Sequence, residues 1–530
     1  MANTAQNRYR LGLPYLVLSL LAAVFISGCL KVGPDFQRPE APVSPAWVER
    51  DGGRVRNEPA DFRAWWKVFN DPVLDRLMDM AYGQNPSLQI AGTRVLQARA
   101  QLGIVTGEFY PQTQAAAGSL QWNRSSKAAS FGSGLSYTEA QVGANISWEL
   151  DFWGRFRRAI ESADAGWFGS LANYDNTLVS LTADVANSYI QIRTLEKRIE
   201  IANQNALIQR ENLGIAEARF QFGLVSELDV EQARTALNST LSSIPPLEAQ
   251  LGQSNHALCL LLGVTPGSLG QILSGSSGIP VAPAQVAAGI PADLLRRRPD
   301  IRMAEYQAAA QCARIGVAKA DLYPAFTLSG FFGFLSTDVA PSRLGDIAKW
   351  SSRTYQAGPS IQWNILNYGR ITNNVRLQDA VFQEYLVTYE NAVLSAQKDV
   401  EDNLIAFARA QDGAALLARS AAAAGRALDL AVLQYQAGAR DFTTVITAQQ
   451  ALLTQQDSLA STLGTLSSSV VGVYRALGGG WEIREGRDLI PPGMKSEMAS
   501  RLNWGELLSP KSYNPLSQEP PKHLVRPPDW

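Results

Sequence analysis

The chain has 530 residues, of which 46% are hydrophobic, so it can bury a sizeable core. Its formal net charge is −1, which excludes the strong positive field typical of proteins that bind nucleic acid or anionic membrane surfaces. Two histidines, three cysteines and no CxxC pair argue against a metal site. Because a phosphate-binding loop, an HExxH motif and a nucleophile elbow are also absent, we expect no catalytic residues, no cofactor and no enzyme activity.

The first residues are organised like a bacterial export signal. Basic residues precede an apolar run that is too short to span a bilayer comfortably. The stretch from Ile26 to Cys29 resembles a lipobox, in which the cysteine is acylated and becomes the first mature residue. We therefore predict lipid attachment at Cys29, with a plain secretory signal as the alternative. Leu30 instead of Asp indicates, by resemblance to bacterial lipoproteins, onward export to the outer membrane.

Two segments of the chain, about 215 residues apart, repeat the same layout. The tract that contains Gly223 matches the tract that contains Gly438, and 438 minus 223 is 215. A duplication that covers strand and helix patterns alike predicts two copies of one unit. The predicted divisions are a signal peptide (1–28), a lipid-anchored N-terminal segment (29–80), a first repeat (81–263), a connector (264–291), a second repeat (292–480) and an irregular C-terminal tail (481–530).

Each repeat contains a predicted β-hairpin, at about 112–150 and about 325–366. Apolar and polar residues alternate from Thr138 to Leu150 and again in the second copy, which is typical of a strand with one apolar face. A length of about ten residues suits a tilted membrane strand. Four strands cannot close a barrel, and an open edge is not tolerated in lipid, so several chains must share one barrel.

Tryptophans near the strand ends favour this membrane interpretation. Trp122, Trp148 and Trp363 occupy positions suited to the membrane–water interface. The alternative is a small periplasmic sheet that packs on helices.

A long helix follows each hairpin, predicted over about 155–222 and about 370–437. In the first helix, apolar residues recur every 3.5 positions from Ile160 to Ala202 without a proline, which is a coiled-coil pattern. A helix of this length extends for about 100 Å. Such helices attached to membrane strands suggest the wall of a tube, with a solid coiled-coil stalk as the alternative.

A glycine turn ends each long helix, and a shorter helix follows. Gly223 and Gly438 are suited to a helix C-terminus, and Ser226 and Asp441 to the N-cap of the next helix. The pattern predicts two helical hairpins with tight tips. We expect Pro245-Pro246 to kink or break the first short helix.

Several motifs connect the chain to a known family. They are Val32-Gly33-Pro34-Asp35-Phe36, Trp65-Trp66 before Asp71-Pro72, LLRRRPDIRMAE from Leu294 to Glu305, both glycine tips, and YRALGGGW from Tyr474 to Trp481. In combination they resemble the outer-membrane efflux proteins, the TolC-like channels, and most closely their OprM/NodT-type lipoprotein branch. The resemblance covers essentially the whole mature chain.

The resemblance implies an α+β membrane protein built from a duplicated unit of a β-hairpin plus long α-helical hairpins. It implies a homotrimer, with a shared β-barrel in outer-membrane lipid and an α-helical tunnel in the periplasm. The implied partners are a periplasmic membrane-fusion adaptor and an inner-membrane pump of the resistance-nodulation-division type. Passive export of small molecules is the leading function, a type I protein secretion duct is the alternative within the channel class, and a non-conducting envelope tether is the alternative outside it.

The family also implies two functional regions at the helical tips. The expected adaptor-docking residues are Gly223, Leu224, Val225, Ser226, Asp229, Gly438 and Ala439. The expected periplasmic gate residues are Arg440, Asp441, Phe442, Thr444 and Thr447. In this gate, Arg440 of the same or a neighbouring chain would pair with Asp441, and Phe442 would add hydrophobic contacts. The run from Arg296 to Arg298 is interpreted as solvated surface or a structural ion pair rather than an anion site.

Overall fold

The structure of this protein is a computed structural model that describes residues 31–48, 53–56, 62–128, 134–267 and 269–514. The predicted signal peptide and Cys29 lie outside these residues. Within the described ranges, no helix combines the length and the apolar character needed to cross a bilayer.

A four-stranded antiparallel sheet joins the two repeats. The strands are β1 (Thr113–Arg124), β2 (Ser136–Leu150), β3 (Ala325–Thr337) and β4 (Arg353–Gln362). Their order in the sheet is β1-β2-β3-β4, so the two hairpins meet through β2 and β3. The two predicted hairpins are therefore present, and among the described residues β1 and β4 each have one edge without a neighbouring strand.

The register of the sheet places its apolar residues on one face. Ala144 lies opposite Phe332, Ile146 opposite Gly330 and Trp148 opposite Leu328. This face stays uncovered within the described chain, since the Ile146 and Phe332 side chains are 46% and 48% exposed. A continuous exposed apolar face of this kind needs a cover other than the protein's own helices.

The helices form two long hairpins and shorter flanking elements. They are α1 (Pro72–Gln84), α2 (Pro86–Gly107), α3 (Arg155–Gln221), α4 (Glu227–Leu262), α5 (Pro299–Ala320), α6 (Arg370–Gln436), α7 (Phe442–Ala476) and α8 (Pro492–Arg501). Helices α3 and α6 have 67 residues each, which corresponds to about 100 Å. Helix α3 packs against α4, and α6 packs against α7.

The largest hydrophobic core joins α3 and α7 to a layer that we call the collar, which comprises residues 62–84 with α1, the connector 264–291 and the C-terminal segment 481–514. Trp65 stacks on Tyr474 with 5.5 Å between the ring centroids. The Tyr189 hydroxyl donates a hydrogen bond to Asp71 at 2.7 Å. The collar therefore covers one side of the helical hairpins.

One local prediction was wrong. The tail beyond residue 481 is not irregular throughout its described part, because it contains α8 and because Tyr513 is fully buried. Helix α4 runs through Pro245 and Pro246 without a break, so of the two expected effects of this proline pair only a kink stays a prediction.

Candidate functional site

Both helical hairpins turn at their tips through the same backbone motif. The Leu224 amide donates to the Arg219 carbonyl at 2.9 Å, and the Gly223 amide donates to the Phe220 carbonyl at 2.8 Å. This is the Schellman arrangement, which requires a left-handed residue at the position of the glycine. Gly223 has φ +68°, as the sequence predicted.

The second tip repeats this geometry. The Ala439 amide donates to the Gln434 carbonyl at 2.9 Å, and the Gly438 amide donates to the Tyr435 carbonyl at 3.0 Å. Gly438 has φ +72°. The two copies of the repeat therefore match in their individual backbone hydrogen bonds at the tips.

Side chains at the start of α4 and α7 cap these helices. Asp229 accepts a hydrogen bond from the Ser226 amide at 3.3 Å. Asp441 accepts from the amide and the hydroxyl of Thr444, at 3.2 and 3.0 Å. Asp441 thus satisfies a free amide at the N-terminus of α7, which is the usual role of an N-cap carboxylate.

The gate between neighbouring chains stays a prediction, and the protomer shows where each predicted gate residue lies. Phe442 is only 1% exposed, and its ring centroid lies 5.0 Å from that of Tyr435 within the protomer's tip core. Arg440 is exposed, and its side chain makes no hydrogen bond or ion pair with the described residues, so the same-chain pair with Asp441 is not formed. The Thr447 hydroxyl donates to the Thr443 carbonyl of its own helix at 2.9 Å.

Arg219, which the sequence analysis did not single out, connects the two tips. Its guanidinium donates to the carbonyls of Tyr435 and Gln436, at 2.5 and 3.2 Å, and lies 4.7 Å from the centre of the Tyr435 ring. A cation at a helix C-terminus interacts favourably with its free carbonyls. Arginine in the last turn before a glycine is a weak sequence signal for this role, because the carbonyls of its own helix are the default partners.

The surfaces of the tips are largely exposed. Leu224 and Phe222 are 65% and 81% exposed. Gly223, Ser226, Gly438 and Ala439 are exposed too, whereas Val225 and Asp229 are partly covered. The predicted docking residues therefore lie where another protein can reach them.

The N-terminal segment is fixed next to the base of the sheet. The Val32 amide donates to the Trp153 carbonyl at 3.0 Å. The buried Arg158 guanidinium donates to the carbonyls of Val32 and Gly33, each at 3.1 Å. Gly33 has φ +95°, and a Cβ there would lie 2.5 Å from the Gly316 Cα, so this crossing needs glycine.

A buried ion-pair network holds the C-terminal segment to α3. Asp175 is fully buried between Arg484 and Arg302, and Arg484 also donates to Asn514 at 2.7 Å. Burial raises the pKa of the Asp175 carboxyl, and the two guanidinium groups act in the opposite direction.

Arg298, the last residue of the arginine run before α5, has a structural role. It pairs with Asp300 at 2.6 Å and Asp399 at 3.4 Å, and it donates to the Ala476 carbonyl at 2.9 Å. For Arg298 the interpretation as a structural ion pair is confirmed. No group of three or more potential metal ligands occurs in the described ranges.

The family model for outer membrane efflux proteins matches residues 77–264 and 290–479, more than half of the chain. The chain therefore belongs to this family. The two matched ranges lie within a few residues of the two repeats.

Individual relatives agree with this assignment. The chain is 33% identical over 475 residues to nodulation protein T of Rhizobium leguminosarum bv. viciae, covering 87% of this chain and 93% of that protein. It is 30% identical over 475 residues to the toluene efflux pump outer membrane protein TtgI of Pseudomonas putida, covering 88% and 99%. The solved structure of the outer-membrane channel OprN matches with a TM-score of 0.80 at 31% identity, covering 85% of this chain and 99% of that chain.

Taken with the fold, these similarities identify the chain as an outer-membrane efflux channel of the TolC-like family. Its place is the bacterial outer membrane. Its family and relatives are channel proteins rather than enzymes.

Proposed function

We propose that three copies of this chain form a duct that passively conducts small molecules across the periplasm and the outer membrane. The observation that carries this proposal is the direct continuation of a membrane-suited sheet into helices of about 100 Å. Trp153, between β2 and α3, stacks on Tyr323 with 4.6 Å between the ring centroids and donates to the Pro324 carbonyl at 2.8 Å. The sheet and the helices are therefore joined by firm contacts.

The sheet supports a barrel shared between protomers. One face is apolar and uncovered, and the free edges of β1 and β4 can pair with the edges of neighbouring copies. Trp363, just after β4, is 58% exposed and donates to the Leu322 carbonyl at 3.0 Å. An exposed indole with a satisfied N–H suits the membrane–water interface.

The helical hairpins support an aqueous tunnel. A concave surface that encloses about 900 Å³ is lined by α3, α4, α6 and α7. Its lining includes Asn187, Gln191, Asn403 and Arg475. A polar lining of this kind suits the passage of hydrated solutes. Because the sequence has no phosphate-binding loop, the energy for export must come from the pump.

The exposed tips support docking of a periplasmic adaptor, through which an inner-membrane pump of the resistance-nodulation-division type would deliver the cargo. The relative named as part of a toluene efflux pump supports an efflux assembly. Arg219 connects the two hairpin tips, so we assign it the role of holding the periplasmic end closed.

A lipid on Cys29 would anchor the duct in the outer membrane. Lys31 lies two residues after this cysteine and pairs with Glu161 at 2.9 Å, next to the base of the sheet. The first described residues of the chain therefore lie next to the base of the sheet.

Single-channel recording tests this function. Purified full-length protein reconstituted in a planar bilayer should give discrete conductance steps, and crosslinking of the same preparation should give trimers. A preparation that forms trimers without conductance would instead support a structural tether of the cell envelope.

A further inference from the structure

The face of the sheet opposite the apolar one is mostly polar, but it carries two large apolar side chains of β3, Leu335 towards the end of the strand and Phe331 at its middle. Residues of this inner face alternate with the apolar ones, as Ser329 and Gly333 do on either side of Phe331. A large aromatic side chain is unexpected on a face that water must wet.

Two glycines make room for the Phe331 ring. Gly143 of β2 lies directly opposite Gly333 of β3. A Cβ at Gly143 would be 2.6 Å from the Phe331 Cζ atom, and a Cβ at Gly333 would be 2.7 Å from it. Both distances are below any real contact, so the ring lies against the backbone of this glycine pair. Because the side chain is only partly buried, part of the ring stays accessible.

Uncharged amides flank the ring on the same face. Asn145 of β2 and Gln356 of β4 each lie opposite Phe331 in the register. Neighbours in register are about 5 Å apart, within reach of a molecule that covers the ring. The inner-face carboxylates of β2, Glu139 and Glu149, are four residues from Gly143 and Asn145, or about 13 Å.

We propose that Phe331, Asn145 and Gln356 form a binding site for planar aromatic solutes that carry hydrogen-bonding groups. The solute would stack on the free side of the ring, and the two amides would donate to or accept from its polar substituents. This proposal rests on the proposed function, in which this face lines the barrel, and each duct would contain three such sites.

Packing over the glycine pair alone does not require an aromatic ring, since leucine can cover the same backbone. The substitution Phe331→Leu therefore distinguishes a purely structural role of the Phe331 side chain from a role in binding. Phe331→Tyr keeps the ring, and Ser329→Ala changes the same face two residues away, so both serve as matched controls.

The test is current block in planar bilayers that hold the purified full-length protein, with caffeine as a planar aromatic probe and glucose as a non-aromatic probe of similar size. We expect caffeine to reduce the current of the wild type, with glucose much weaker. Loss of one aromatic stacking contact should raise the half-blocking concentration of caffeine about three- to tenfold in Phe331→Leu. Phe331→Tyr and Ser329→Ala should stay within about twofold of the wild type.

The outcomes are distinguishable. Equal caffeine block in the wild type and in Phe331→Leu, or no caffeine block in a conducting wild type, overturns the binding site and leaves the channel intact. Absence of salt conductance in the wild type overturns the channel itself. Unchanged salt conductance in Phe331→Leu with weakened caffeine block supports the binding site.

Discussion

Removing the Arg219 side chain should open the periplasmic end of the duct. Its guanidinium is the described contact that joins the end of α3 to the last carbonyls of α6, with distances of 2.5 and 3.2 Å. In Arg219→Ala the freed carbonyls can bind water, because the tip is exposed. The tips should therefore separate more easily while the protomer stays folded.

The size of the effect follows from the contacts that are lost. A hydrogen bond from a charged donor contributes about 1.5–3 kcal/mol, and an exposed cation–π contact about 0.5–1 kcal/mol. Since Arg219 is partly exposed, the lower values apply, and the shorter hydrogen bond together with the ring contact contributes about 2 kcal/mol. This corresponds to about a thirtyfold shift towards the open tip in each protomer.

Single-channel recording of purified trimers measures this shift as a larger resting conductance. Arg440→Ala is the matched control, because Arg440 lies at the same tip without a described partner. Arg219→Lys should give an intermediate conductance, since lysine keeps the charge without the planar fork. A closed Arg219→Ala channel, or an open Arg440→Ala channel, would refute the assignment of Arg219 as the closing contact.

Three further predictions concern the anchor, the tips and the collar. Cys29→Ser should abolish labelling with radioactive palmitate, and persistent label would exclude lipidation at this residue. Replacing both Gly223 and Gly438 by valine should strain the left-handed turns and weaken adaptor pull-down without loss of trimers, so unchanged pull-down would argue against tip docking. Asp175→Ala should lower the free energy of unfolding by about 3–5 kcal/mol, because it leaves Arg484 and Arg302 buried without their carboxylate partner. A thermal midpoint equal to that of the wild type would contradict this.

Features set by local backbone chemistry could be predicted from the sequence. The glycine turns at 223 and 438 follow from the preference for glycine in the left-handed conformation, and the strands follow from their period of two. The apolar face of β2 was also predictable, because alternation alone decides which residues share a face.

Features set by distant parts of the chain could not be predicted. The 3.5-residue seam of α3 was anticipated, but Phe168 and Ile190 beside it are buried as well, because α3 also packs against elements outside its own hairpin. The Phe168 ring, for example, stacks on Tyr306 of α5 with 5.5 Å between the ring centroids. The burial of Phe442 could not be predicted for a related reason. Periodicity does not tell which side of α7 faces α6, the other helix of the same hairpin. The ring of Tyr435 in α6, across the turn, packs against Phe442.

The collar has a consequence for the order of events during biogenesis. Its contacts join residues that are far apart in the chain, since Asp175 and Arg484 are 309 residues apart, and Arg99 donates to the Ser512 carbonyl over a separation of 413 residues. Contacts of such high sequence separation form slowly, because a long loop must close first. The helical hairpins are local and can form during export, whereas the collar cannot close until the last residues have crossed the inner membrane. Until then the collar-facing side of α3 remains uncovered, and this is the stage at which the chain is most exposed to aggregation and proteolysis.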